Sequence, residues 1–373
     1  MFEQSCRGAG LTLQGWNCMT EDVRLHDGSG PSVSPLAATA EEAHGRGEPR
    51  VHGAAYAALD LGTNNCRLLI ARVSHDGFRV IDSFSRIIRL GEGISTSGRI
   101  SDAAISRAVG ALGVCGDKIR AKGAKRLRTI ATEACRAADN ADAFLDLIER
   151  ETGIKLEVID RETESTLAVI GCSPLLDARA KGAILFDIGG GSTEVVRIER
   201  PAGSPHAAPA KGPWISLPLG VVTLAERFGG MHVTRESYGT MVDEVADHLA
   251  PFAAQHGHDL SGMHLLGTSG TVTTVAGIHL GLSHYDRRRV DGLWMNDADM
   301  DRAIARLLGM TYQDRARNAC IGAERADLVL AGCAILDAIR KAFPLPRLRV
   351  ADRGLREGML VEMMRADGAI ASF

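Results

Sequence analysis

The sequence predicts an α/β fold of two related lobes, and two observations carry that prediction. First, the element order β-β-β-α-β-α occurs twice along the chain. Second, each copy opens with two apolar runs around a polar turn headed by an aspartate. These turns are DLGTNN from Asp60 and DIGGGST from Asp187, 127 residues apart. Length and composition agree: 373 residues with 45% hydrophobic content are enough for two domains on a prior of ~150 residues each.

The elements follow in order. Residues 1–52 are rich in Gly, Ser, Pro and Ala without periodicity and read as a disordered tail. AAYAALDL, CRLLIARV and FRVIDSFS are three short strands separated by turn residues. A helix over about 101–121 places Ala104, Ile105, Ala108, Val109, Leu112 and Ile119 at helical spacing, with Ser101-Asp102 as its cap. RLRTIAT is a strand. NADAFLDLIERETG is a helix opened by Asp139 or Asn140 and closed by Gly153, and KLEVI is a further strand. The second copy runs through GAILFDIGGGSTEVVRIE, a loop RPAGSPHAAPAKGP, the strand WISLPLG, the helix ESYGTMVDEVADHLAPFAAQ and the strand MHLLGTSG.

Charge and special residues narrow the function. The net charge of −3 gives no basic field to attract nucleic acid. Eight cysteines are scattered with no CxxC pair and no zinc spacing, which reads as reduced thiols in a cytoplasmic protein. No signal peptide is evident, and no apolar run reaches the ~18 residues of a membrane helix. The twelve histidines form no catalytic pattern, and there is no Walker lysine, Gly-x-Ser-x-Gly elbow or Rossmann fingerprint.

A lone DLGTNN is a hairpin turn, because Asp, Asn and Gly tolerate positive φ. The second copy changes its meaning. Glycines allow close approach of a ligand to the backbone, and successive N–H groups form an anion-binding concavity. Thr63, Asn64, Ser192 and Thr193 add side-chain donors. An aspartate heading such a turn would repel phosphate unless it holds Mg²⁺ or a metal-bound water. Two such turns facing across a cleft would clamp a phosphate chain.

That arrangement resembles the actin, Hsp70 and sugar-kinase superfamily. The resemblance implies duplicated ribonuclease H-like (actin-like ATPase) domains, each a mixed five-stranded sheet flanked by helices, with the active site between the lobes. The segments ALDLGTNNCRLLIA, RIIRLGEGI, TIATEACR, RETESTLAVIG, LFDIGGGSTEVV, SLPLGVVTLAERF, LLGTSGTVTTVAG, GAERADLVLAGCAIL and DRGLREGML resemble, in order, the exopolyphosphatase/guanosine pentaphosphate phosphatase (Ppx/GppA) family in its short two-domain form. Asn65 departs from the serine more usual there. The expected domains are 53–132 with 348–373, and 133–347.

The resemblance implies roles residue by residue. Glu133 would be the catalytic glutamate that orients or deprotonates water. Asp60, Asp187, Glu157 and Glu164 would hold Mg²⁺, or Mn²⁺. Phosphate would be bound by the first turn (Gly62, Thr63, Asn64, Asn65), the second (Gly189, Gly190, Gly191, Ser192, Thr193), a third segment (Gly267, Thr268, Ser269) and the arginines Arg67, Arg89 and Arg136. Arg353 and Arg356 would return the C-terminal helix to the first domain. The expected activity is release of terminal phosphate from inorganic polyphosphate. The alternatives are a guanosine pentaphosphate 5′-phosphatase, a non-catalytic sensor of polyphosphate or alarmone, and a kinase, for which no acceptor-sugar motif is present. The resemblance also admits a homodimer.

Overall fold

The computed structural model describes residues 53–75, 77–201 and 209–371. The expected tail, residues 1–52, and part of the loop between the second and third strands of the second copy lie outside them. Eleven strands are present among the described residues: β1 (Ala55–Leu61), β2 (Asn65–Ser74), β3 (Gly77–Ile87), β4 (Ala124–Ala131), β5 (Glu157–Val158), β6 (Gly182–Ile188), β7 (Thr193–Glu199), β8 (Ala210–Leu217), β9 (Met263–Thr268), β10 (Trp294–Asn296) and β11 (Arg347–Ala351). They form two mixed sheets. The first has five strands in the order β3-β2-β1-β4-β5, and the second has six in the order β10-β11-β9-β6-β7-β8. Both are flanked by helices, as the actin-like resemblance implies.

The sixth strand corrects the expectation of two five-stranded sheets. β10 adds three residues antiparallel to β11, too short a run for alternation to reveal. The two sheets otherwise match strand for strand. In each, an antiparallel hairpin pairs with a third antiparallel strand on one side and parallel strands on the other. The predicted helix caps are also present. The Ser101 side chain accepts from the Ala104 N–H, and Gly153 closes its helix at φ +69.

The repeat extends one strand and one helix further than the sequence pattern reveals. β5 leads into the helix Arg161–Cys172, and β11 leads into the helix Leu355–Ala366. These two helices exchange lobes. Met359, Leu360 and Met364 of the second pack with Tyr56, Ala58 and Leu69 of the first sheet. Ala168, Val169 and Cys172 of the first pack with Leu185, Val196 and Leu266 of the second sheet. The helices cross each other at glycines. A Cβ on Gly171 would overlap the Gly354 carbonyl, and one on Gly358 would overlap the Leu167 carbonyl.

The expected domain boundaries shift accordingly. Phe144, Ile148, Ile154 and Leu156 join the core of the first sheet, and β5 extends that sheet. Residues 133–158 therefore belong with the first lobe. β11 belongs to the second sheet, and only the helix after it returns to the first.

The six described cysteines are all free and buried. Cys66 and Cys115 face each other with sulfurs 3.9 Å apart. No helix among the described residues is long and apolar enough to cross a membrane.

Candidate active site

The two aspartate-headed turns are built alike. In the first, the Gly62 N–H donates to the Asn65 carbonyl at 2.9 Å. In the second, the Gly189 N–H donates to the Ser192 carbonyl at 2.9 Å. The ladder beside each aspartate is also equivalent, with Asp60 opposite Arg67 and Asp187 opposite Glu194. The turns meet directly. A Cβ on Gly190 would lie 2.9 Å from Thr63 Cβ, and one on Gly191 would lie 3.2 Å from Glu133 Cγ. These glycines thus let one turn rest on the other, a close approach the sequence reading reserved for a ligand.

Four acids converge behind the turns. Asp60 and Asp187 end β1 and β6. Glu164 stands in the first turn of the exchanged helix, whose N-cap is Asp160. Glu194 begins β7 and is 2% exposed. Burial raises the pKa of each. Asp60 is raised by burial, against the pull of Arg67 and Arg356. Asp187 is pushed up to about 6 by burial, with Arg67 opposing and Asp60 adding. Glu194 is pushed up to about 7 by burial and by Asp187, against hydrogen bonds from Ser216 and Ser192. Glu164 is held well above the usual carboxylate range by burial and by Glu194, against Arg136. The charge on Glu194 is thus one reason that Glu164 favours its protonated form.

Glu133 has a different environment. It opens the short helix Glu133–Ala137, but both its oxygens are taken. Arg136 donates to one through Nε at 3.0 Å and Nη2 at 2.8 Å, and Arg161 donates to the other at 2.8 Å. Arg136 also donates to Glu164 at 2.8 Å and to the Ile159 carbonyl at 2.8 Å. Arg136 therefore ties the two glutamates together and has no free edge for phosphate. Glu157 is not brought to the site. Its carboxylate is 58% exposed and reaches Arg128 at 3.4 Å, because β5 runs along the edge of the sheet.

The expected phosphate ligands divide in the same way. Thr193 uses its hydroxyl on the Leu219 carbonyl at 2.7 Å, and Thr268 uses its own on the Arg353 carbonyl at 2.6 Å. Gly267 makes room for the Phe186 ring. Arg89 is bound across the lobes to Asp327 at 2.9 Å. Three buried polar atoms at the turns have no protein partner: Asn64 Oδ1, Asn65 Nδ2 and Ser269 Oγ. Ser269 also holds φ +99 at the start of the helix Gly270–His279. Arg67 makes no ion pair or hydrogen bond among the described residues. Its Nη2 and Nη1 of Arg325 both lie within 4.0 Å of where a Gly270 side chain would begin. Arg325 likewise makes no ion pair among the described residues, and burial lowers its pKa against the pull of Tyr285, Glu324 and Asp352.

Sequence reasoning missed Glu194 and Arg325. Both lie in quoted motifs, LFDIGGGSTEVV and GAERADLVLAGCAIL. The signal for Glu194 was the repeat itself, since Arg67 had been singled out and Glu194 stands 127 residues after it.

The donor set is consistent with a hard divalent cation. Asp60 and Asp187 lie close enough for Asp60 to help raise the Asp187 pKa, and Mg²⁺ takes one or two carboxylates with waters and phosphate oxygens. Among the described residues no three His, Cys, Asp or Glu side chains enclose a metal by themselves. Asp60 and Asp187 have the position to hold one and Glu157 does not.

Comparison with known proteins identifies relatives. Residues 69–367 match the Ppx/GppA phosphatase family. Exopolyphosphatase 2 of Mycobacterium tuberculosis is 29% identical over 327 residues, covering 82% of this chain and 98% of that protein. The guanosine-5′-triphosphate,3′-diphosphate pyrophosphatase of Photobacterium profundum is 29% identical over 321 residues, covering 83% of this chain and 59% of that one. The crystal structure of an exopolyphosphatase-like protein superposes with a TM-score of 0.76 at 28% identity, covering 84% of this chain and 99% of that one.

Proposed function

This chain belongs to the Ppx/GppA phosphatase family, and from that premise we infer that it hydrolyses phosphoanhydrides, releasing terminal phosphate from inorganic polyphosphate. The observation that carries this reading is the meeting of the two turns at Gly190 and Thr63, with buried acids behind them and Arg67 and Arg325 both within 4.0 Å of where a Gly270 side chain would begin. A general base works best with a pKa near the operating pH, and Glu194 has that pKa.

Water attacks the terminal phosphorus and passes its proton to the Glu164–Glu194 pair. The bridging oxygen departs with its bonding electrons as the new end of a chain one phosphate shorter. Arg67 and Arg325 bind phosphate oxygens, with unpartnered Asn65 Nδ2 and Ser269 Oγ as further donors. Glu133 is then a positioning residue. It fixes Arg136, which in turn fixes Glu164. Asp60 and Asp187 would hold Mg²⁺ or Mn²⁺, which supplies charge neutralisation of the phosphate oxygens. Positioning and electrostatics carry the rate.

The second reading, a guanosine pentaphosphate 5′-phosphatase, is favoured by the name of the Photobacterium profundum relative. One assay separates the readings: phosphate release from polyphosphate of defined lengths, from guanosine pentaphosphate and from ATP, with and without Mg²⁺. Fastest release from polyphosphate is expected. Release from none of them, with binding retained, would establish a sensor instead. A homodimer and a cytoplasmic location accompany this reading as proposals, tested by the sedimentation behaviour and fractionation of the full chain.

A further inference from the structure

The chain after β3 folds back over the first turn. The N–H groups of Ile88 and Arg89 donate to the Asn64 carbonyl at 2.9 and 3.0 Å, and Gly91 donates to the Thr63 carbonyl at 2.8 Å. This segment is part of the first lobe, but its polar groups are directed at the second. Arg89 donates Nη1 and Nη2 to the two oxygens of Asp327, each at 2.9 Å, and Nη2 also reaches the Glu324 carbonyl at 3.1 Å. Six residues along the lobe edge, a second carboxylate completes the contact. Glu226 accepts from the Gly93 N–H at 2.8 Å and from the Ser95 hydroxyl at 2.6 Å. Beside these contacts lies a cavity of about 470 Å³, with Asn64, Arg89, Glu92, Glu226, Met231 and Asp327 in its wall.

Three features of this junction go beyond packing. Arg89 holds φ +46, a left-handed backbone that a non-glycine residue adopts at a cost. The strain aims its guanidinium across the lobes. The pair is partly open to water, with side chains 32% and 20% exposed, so an ion in solution can reach it. The cavity wall carries Glu92, Glu226 and Asp327 against the single cation Arg89, and Glu92 is held by Arg107 at 2.9 Å, so Arg89 is the cation in the wall that an entering anion meets. A bidentate guanidinium fork accepts a phosphate as readily as a carboxylate.

We propose that the Arg89–Asp327 pair is an autoinhibitory latch. Arg89 is a phosphate ligand that the free protein holds on Asp327, and an entering phosphate chain displaces Asp327 from it. Once displaced, Asp327 and Glu226 face a polyanion, and their repulsion moves the edge of the second lobe away from the first turn. The identity of the anion rests on the hydrolase reading above; the competition between carboxylate and anion does not.

The test compares Asp327→Asn with Arg89→Gln in the full chain. Both break the latch, but only the second removes the ligand. Binding of polyphosphate of defined length and of guanosine pentaphosphate is measured first in chelator, where no turnover occurs. KM and kcat with Mg²⁺ follow. Asp327→Asn should tighten binding and lower KM by about tenfold with kcat within about twofold, the scale of one charge-assisted pair. Arg89→Gln should weaken binding by a similar factor. Thermal melts establish that both variants are folded. Shifts in the same direction, no shift in either variant, or no binding of either anion by the native chain would overturn the latch. A native chain that binds with the expected split between variants, yet releases no phosphate, would overturn the hydrolase reading alone.

Discussion

The two turns share a backbone and differ in one charge. Gly62 and Gly189 make the same hydrogen bond, and Asp60 and Asp187 stand at the same place on equivalent strands. Opposite Asp60 the ladder carries Arg67, and opposite Asp187 it carries Glu194. The scaffold occurs twice, and one difference between the copies is a reversal of charge at this ladder position. The first turn faces a cation that makes no hydrogen bond or ion pair among the described residues and acts on Asp60 and Asp187 through space, suited to hold phosphate. The second faces a buried acid with a pKa near 7, suited to take a proton from water.

The largest expected effect comes from removing that acid. Glu194→Gln should lower kcat for phosphate release by about 10²–10⁴, the usual contribution of general-base catalysis, with circular dichroism unchanged. Removing the opposite member should act on binding. Arg67→Gln should raise KM by about tenfold, the value of one charge-assisted contact, with a smaller change in kcat. Equal effects of both variants on kcat would mean that the turns are not divided in this way.

A stability measurement sharpens the same contrast. Glu194 keeps its proton to about pH 7 in the folded chain but only into the ordinary carboxylate range when unfolded. Between those values the folded state binds more protons, so this acid's contribution to stability is full at low pH and is lost as pH rises through about 7. In chelator, the melting temperature of Glu194→Gln relative to the native chain should therefore rise between about pH 5 and about pH 8. A constant difference would show that Glu194 does not keep its proton to about pH 7. The smallest effect belongs to Glu157→Gln, which should leave activity within about twofold, as for a solvated surface pair.

The parts of this site that local chemistry encodes could be read from the sequence. Asp, Gly, Thr and Asn at DLGTNN and DIGGGST announce two special turns, and in the second the glycines leave room where a Cβ on Gly189 would meet the Ser192 carbonyl and one on Gly190 would meet Thr63. Ser101 announces a helix start because its side chain accepts a backbone N–H, and Gly153 a helix end because it tolerates the left-handed backbone there. What depended on distant residues could not be read. Glu194 follows a turn and begins an apolar strand, where a glutamate reads as solvent-facing. Its burial is set by the exchanged helix bearing Glu164 and by Ser216 on β8. Glu133 also accepts from Arg161, 28 residues away, a contact that its place in the sequence does not announce. Thr193 and Thr268 looked like phosphate donors, but each hydroxyl serves a backbone carbonyl from another part of the chain. The exchange of the two helices needs Gly171 and Gly358 to meet carbonyls of the opposite copy, and nothing in either helix alone announces that.

The account stands on which glutamate activates water, and one comparison tests it most directly: initial rates of phosphate release from polyphosphate by Glu194→Gln and Glu133→Gln at saturating substrate and Mg²⁺. The account predicts that Glu194→Gln is slower than Glu133→Gln by at least about tenfold, because the first loses the base and the second only the anchor of Arg136. A Glu133→Gln variant as inactive as Glu194→Gln, or a Glu194→Gln variant near the native rate, would contradict it.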